Sequence, residues 1–267
     1  IVAPEVVVEV HLENIRAGAK IITTNSYGVI AADLEKEGLK DKYEELNQAA
    51  GQLAAQAVSL SGEEVVIAGS LPPQNGSYRP DRVLNRKIIE PLYRRQAGLL
   101  APYVDIFLCE TMSTIEEAHA AITATSEFGI PVMVGLTLHD EKVACLRSGE
   151  SLLESVNKLK ELNPLGILAN CCLPERISEA ITILVGSGAK YTGGYANAFT
   201  HVPQDWLLDG KKGTDGRLKL REDLSPENYC KFVASWVQQG ANLVGGCCGT
   251  TASHIQSITK WLQQSVV

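Results

Sequence analysis

The sequence has no apolar run longer than a strand. A membrane-crossing helix needs about 20 consecutive apolar residues, and none occurs among the 267. No basic segment followed by an apolar one opens the chain, so it shows no secretion signal. Positive charge is scarce as well: 24 Lys and Arg stand against 31 Asp and Glu, a formal charge of −7, and neither sign forms a long block. Phosphate backbones therefore find no electrostatic footprint, which excludes nucleic acid as the expected partner. Aromatic residues make up only 6%. There is no Pro-rich or Ser/Gly-rich linker and no repeat of 20–50 residues, which excludes a solenoid. The chain reads as soluble, cytoplasmic and free of membrane partners, with one domain spanning 1–267.

What is present is a rhythm. Seven apolar, β-branched segments recur at 20–26, 64–71, 105–111, 131–138, 165–172, 189–197 and 241–248, each followed by a helix-compatible stretch. Near-continuous apolar runs suit strands covered on both faces, and alternation of strand and helix points to a parallel sheet wrapped by helices. Pro4 ahead of 5–17, a capping box of Ser113 with Glu116, and Pro174 opening 174–186 mark helix starts. Gly18, Gly129, Gly188 and Gly240 fall where helix C-caps are expected. The expected fold is α/β, a TIM (β/α)8-type barrel. Only seven strands are visible and the chain opens on a helix pattern, so the first β-strand is expected to be missing and the domain N-terminally incomplete. An open doubly wound sheet is the rival; its Gly-rich phosphate turn is not found in Thr23-Thr24-Asn25-Ser26-Tyr27-Gly28.

One connection, 198–225, is outsized and carries His201, Trp206, Lys211 and Lys212. In a barrel it would follow a strand's C-terminal end, on the face that carries chemistry. The histidines show no partner pattern for hydrolysis: His11 and His119 lie in helix patterns, His254 is placed to cap or pair, and His139 and His201 follow strands.

Seven cysteines, an odd number without a secretion signal, argue for metal or thiol chemistry over a disulfide framework. Cys171-Cys172 end one strand segment and Cys247-Cys248 another, between glycines. Adjacent strand residues point to opposite faces, so a pair can meet one ion only where the backbone leaves strand geometry, which flanking glycines permit. Cys109, Cys145 and Cys230 are isolated and read as buried small hydrophobes. Three thiolates around Zn²⁺ leave one tetrahedral position free, the mark of a catalytic site.

Gly245-Gly246-Cys247-Cys248-Gly249-Thr250, with Asn170-Cys171 and Pro174 upstream, resembles the signature of the zinc-dependent homocysteine S-methyltransferase family. The similarity continues through Pro4-Glu5 to Gly18-Ala19, Ile22-Thr23-Thr24-Asn25, Ala68-Gly69-Ser70, Glu110-Thr111 and Tyr195 to Asn197. The resemblance implies a (β/α)8 barrel, Zn²⁺ held by Cys171, Cys247 and Cys248, and Cys172 as a mere neighbour. It places the receiver of the homocysteine amine at Glu110, a carboxylate contact at Thr24, and pocket-shaping amides at Asn170 and Asn197. The implied reaction is methyl transfer from an activated donor to homocysteine, forming methionine. The family's first strand, with its Asp-Gly motif, has no counterpart here, and no cobalamin-binding module is visible. The donor stays open among S-methylmethionine, S-adenosylmethionine, betaine and a folate-linked methyl. A Zn-hydroxide hydrolase and a catalytically impaired zinc-binding or thiol-sensing protein are the alternatives.

Overall fold

Strands buried on both faces need helices between them, and the order of elements follows. The computed structural model describes residues 2–206 and 218–265. Helix α1 (Pro4–Arg16) leads into β1 (Ile21–Thr23). Helices α2 (Ala31–Lys36) and α3 (Tyr43–Ser61) lead into β2 (Val66–Leu71), and α4 (Arg86–Leu100) into β3 (Ile106–Met112). After α5 (Ile115–Ser126) comes β4 (Val132–Leu136), and after α6 (Leu152–Leu159) comes β5 (Gly166–Asn170). Then α7 (Pro174–Val185) precedes β6 (Tyr191–Ala196), α8 (Pro226–Gln238) precedes β7 (Leu243–Gly246), and α9 (Ala252–Ser265) follows.

All seven strands among the described residues are parallel, in the unbroken order β1-β2-β3-β4-β5-β6-β7. A doubly wound sheet reverses its order at a switch point; this one does not, and the rival topology falls. The sheet curls into a barrel-type wall with helices outside. Side chains of one strand parity, Ala68, Ile106, Leu108, Met133, Leu168 and Tyr195, cluster on the concave face. Those of the other parity, among them Phe107, Cys109, Val134, Ile167 and Ala169, join the core beneath the helices. Each large apolar side chain fully buried there contributes about 1.5–3 kcal/mol. No helix among the described residues is long and apolar enough to cross a membrane.

Two local expectations are corrected. The capping box shifts by one: Thr114, not Ser113, caps α5, its hydroxyl accepting from the Glu117 N–H, and the Glu117 carboxylate reaches back to the N–H and hydroxyl of Ser113. Ser113 still belongs to the rim of β3, so the helix begins a residue later. The expected segments 165–172 and 241–248 overrun their strands, so both cysteine pairs lie past the last strand residue. Gly18, Gly129, Gly188 and Gly240 all have positive φ, as a helix C-cap requires.

The two limbs of the 198–225 connection pair with each other through Phe199 and Leu220; Lys211 and Lys212 lie outside the described residues. Asp140 and Arg147, an almost fully buried ion pair, pin the first limb: Asp140 accepts from the Val202 N–H, and Arg147 donates to the carbonyls of Val202 and Pro203.

Candidate active site and metal centre

β6 organises the thiols. The Cys171 N–H donates to the Tyr195 carbonyl at the end of β6, and the Cys247 N–H to the next carbonyl, that of Ala196. Two turns from β5 and β7 thereby converge on one rim. The departure from strand geometry lies in Cys171 itself, at φ 51°, a conformation that costs a non-glycine residue about 1–2 kcal/mol. After β7 the turn closes tightly, with Thr250 Oγ1 donating to the Cys247 carbonyl; a Cβ on Gly246 would collide with Thr250.

The result is a cluster. Cys171 Sγ is 3.6 Å from Cys248 Sγ, which is 4.0 Å from Cys247 Sγ, and all three lie within 4.8 Å of one another. A tetrahedral Zn²⁺ with bonds of about 2.3 Å separates its sulfurs by about 3.8 Å. The donor set and its spacing therefore fit zinc. Hydrogen bonds from Cys171 and Cys247 hold the Cys248 thiol far below its usual range, and Cys247 is pushed up by its interactions with the Cys171 and Cys248 sulfurs and by burial. Cys172 points the other way, into the core under the helices, where burial raises its thiol to about 12. Cys109 is likewise raised to about 12 by burial.

Glu110 continues the concave-face parity of Ile106 and Leu108. It accepts from Ser70 Oγ at 2.5 Å and from the Tyr195 hydroxyl at 3.3 Å. Burial raises its carboxyl from 4.5 to about 7, against the lowering by those two hydrogen bonds, and the Cys248 charge adds to the rise. A bulge in β3 follows at once, with Thr111 at φ 64°. Asn170 clamps that bulge: its Oδ1 accepts from the Thr111 N–H and its Nδ2 donates to Thr111 Oγ1. Asn170 is thus spent on shaping the chain beside Glu110. Thr24 is tied up similarly. Its hydroxyl accepts from the Ser70 N–H and pairs with Ser26 Oγ, which donates to the Ser70 carbonyl. Asn197 differs, since its buried Nδ2 has no hydrogen-bond partner among the described residues. An orphaned buried donor calls for a ligand or water.

Ser70 and Tyr195 lie in segments that carry the family resemblance but with no site role assigned to them, and nothing in the sequence singles out Gly135. Gly135 makes the arrangement sterically feasible: a Cβ there would stand 2.6 Å from Asn170 Oδ1 and 2.8 Å from the Tyr195 hydroxyl. Gly135→Ala is expected to displace both, costing about 1–3 kcal/mol of stability as overpacking and weakening substrate binding. Thermal melting together with the KM for the acceptor checks this; a variant unchanged in both would show that the two side chains need no such room.

The histidines serve local structure. His254 caps the start of α9 and reaches the Leu224 carbonyl, His139 Nδ1 accepts from the N–H groups of Glu141 and Lys142, and His201 sits 3.3 Å from Asp140.

Compared with known proteins, residues 1–262 match the family profile described as homocysteine S-methyltransferase. Among solved structures, the chain is similar to the metallated form of the homocysteine methyltransferase MmuM from Escherichia coli. The two are 23% identical with a TM-score of 0.78, over 97% of this chain and 85% of that one. The oxidized form of the same enzyme gives 23% identity and a TM-score of 0.77 over the same shares. At this identity the likeness speaks for the fold.

Proposed function

The chain belongs to the homocysteine S-methyltransferase family, and from that premise we propose that it transfers a methyl group from an activated donor, such as S-methylmethionine or S-adenosylmethionine, to the thiol of L-homocysteine, forming methionine. The observation that carries the reading is a three-thiol cluster of zinc-compatible spacing within electrostatic reach of a buried, hydrogen-bonded glutamate.

Cys171, Cys247 and Cys248 would hold the metal. Zinc held there would supply Lewis acidity sufficient to acidify a substrate thiol, so that no separate general base is needed. Glu110 receives the substrate ammonium, with Ser70 and Tyr195 fixing the carboxylate direction and Asn170 holding the bulge behind it. The free amide hydrogens of Asn197 suit the substrate carboxylate; Thr24 serves the same end by holding β1 to β2 at the rim. The first limb of the 198–225 connection, pinned by Asp140 and Arg147, seats Trp206 against the cluster that contains Cys171. What is left to the protein is orientation of donor and acceptor. All seven cysteines are free, in keeping with a reducing, cytoplasmic setting.

The direct test is methionine formation from homocysteine across a panel of S-methylmethionine, S-adenosylmethionine, betaine and a folate-linked methyl donor. Zinc-loaded protein that makes methionine from none of them rejects the reading. Zinc–sulfur ligation that ignores added homocysteine would leave a zinc-binding protein only.

A pH dependence follows from Glu110. A carboxyl raised to about 7 is neutral below that pH and cannot receive an ammonium. The KM for homocysteine is therefore expected to rise as pH falls from about 8 to about 6, approaching tenfold per unit at the acid end. A KM flat across that range removes Glu110 from the amine site.

A further inference from the structure

One side chain touches the thiol cluster without belonging to it. Tyr78 lies between β2 and α4, and its hydroxyl is 2.8 Å from Cys171 Sγ. Among the described residues that hydroxyl has no other hydrogen-bond partner. The Tyr78 backbone is left-handed, at φ 61°, a strained conformation that persists only where the surroundings hold it. They do so from two sides. Trp206 meets the ring edge-on with centroids 5.4 Å apart, and the Arg147 guanidinium stands 5.7 Å from the ring centre. Arg147 is fixed in turn by Asp140 and by the carbonyls it pins. Tyr78, Cys171 and Val202 form a small buried cluster of their own, with Trp206 and Cys247 packed against it.

We propose that Tyr78 is a positioning residue of the metal centre, its hydroxyl donating to the Cys171 sulfur so as to fix the direction of that ligand and draw charge from it. This rests on the reading of Cys171, Cys247 and Cys248 as the zinc set. A thiolate has no hydrogen to give, so beside a deprotonated Cys171 the phenol must be the donor. The three sulfurs are thereby made unequal: Cys171 is buried under a phenol, whereas Cys248 is exposed at the rim. A thiolate that accepts a hydrogen bond is a weaker electron donor, so Tyr78 leaves the metal more electrophilic toward a fourth ligand. Affinity rests on the direction the hydroxyl fixes, which outweighs the weaker donation: metal ligands commonly depend on such orienting outer partners, whose loss costs about 10- to 100-fold in affinity.

The test uses the full chain, wild type and Tyr78→Phe, stripped of metal and titrated with Zn²⁺ against a chromophoric chelator in the absence of homocysteine. A second sample of each is loaded with Co²⁺ for absorption spectroscopy. Expected are a loss of zinc affinity of about tenfold or more and a sulfur-to-cobalt charge-transfer band at longer wavelength, with circular dichroism and melting of the metal-free protein unchanged. Equal affinity with an unmoved band overturns the proposal. A Tyr78→Phe protein that fails to fold overturns it too, because phenylalanine keeps the ring and its packing, and the hydroxyl would then be holding the chain. Neither measurement includes acceptor or methyl donor. A wild type that binds zinc yet makes no methionine therefore sinks the proposed reaction and leaves Tyr78 in place, whereas a wild type that binds no zinc sinks both.

Discussion

Cys247→Ala is expected to empty the protein of zinc and abolish methyl transfer together, while Cys172→Ala leaves both near the wild-type level. The contrast follows from direction. Cys247 belongs to the cluster whose sulfurs lie within 4.8 Å of one another; Cys172, adjacent in sequence to another member, is packed under the helices. A four-ligand zinc site is worth about 10–16 kcal/mol, so each ligand accounts for roughly 3–4 kcal/mol, or some hundreds-fold in affinity. With only three protein ligands to begin with, that loss empties the site at ordinary zinc concentrations. Cys172→Ala removes one buried sulfur from the core, a cost of about 1 kcal/mol that melting would register. Metal content by elemental analysis, beside methionine formation, decides. If Cys172→Ala lost zinc as Cys171→Ala does, the ligand set would be misassigned.

The second large effect is expected at Glu110. Glu110→Ala should lower kcat/KM for homocysteine by about 30-fold to several thousand-fold, the 2–5 kcal/mol that removing one partner of a buried charge pair costs, with zinc retained. The loss should fall mainly on KM, since the group receives the amine and is remote from the transferring methyl. Glu110→Gln keeps the shape and can still accept from Ser70, yet it has no charge to offer an ammonium, so it should recover little of the loss. Stability should move the other way. The folded carboxyl is raised from 4.5 to about 7, so its ionisation destabilises the fold increasingly as pH rises through that window and not below it. Glu110→Gln should gain stability above about pH 7, by at most about 3 kcal/mol, and gain nothing near pH 4. Unchanged kinetics in both variants would reject the proposed role.

The barrel-type wall was legible in the sequence because each strand is a near-continuous apolar run. Seven segments became seven strands in the expected order. Their ends were not legible, since Cys171 and Cys247 sit where apolar patterning continues while the ladder stops. The glycines around Cys247 suggested where the backbone would turn away, but on β5 the turn is made by Cys171, a residue with no conformational licence of its own. The cysteine spacing pointed toward a metal, and the family resemblance picked out three of the four. What supports the site was hidden. Ser70 and Tyr78 come from the β2 unit, Gly135 from β4 and Tyr195 from β6, and their contacts depend on closure distances that no local pattern encodes. Gly135 is instructive, because its importance is the absence of a Cβ in front of side chains 35 and 60 residues away. The pocket-shaping expected of Asn170 takes the form of its clamp on Thr111, and the Thr24 hydroxyl is engaged with Ser26 and the Ser70 N–H.

The strand order also sets a sequence of events in time. Every strand pairs with the one made just before it, so the wall can grow unit by unit as the chain leaves the ribosome, each step closing a short loop. The thiol cluster cannot. Cys171 and Cys248 are separated by 77 residues, and its last two sulfurs arrive when all seven strands have been synthesised. On the proposed reading of the cluster as a zinc site, a complete ligand set forms only once strands from both sides of β6 are in place, so zinc content of the protein would report on a completed wall.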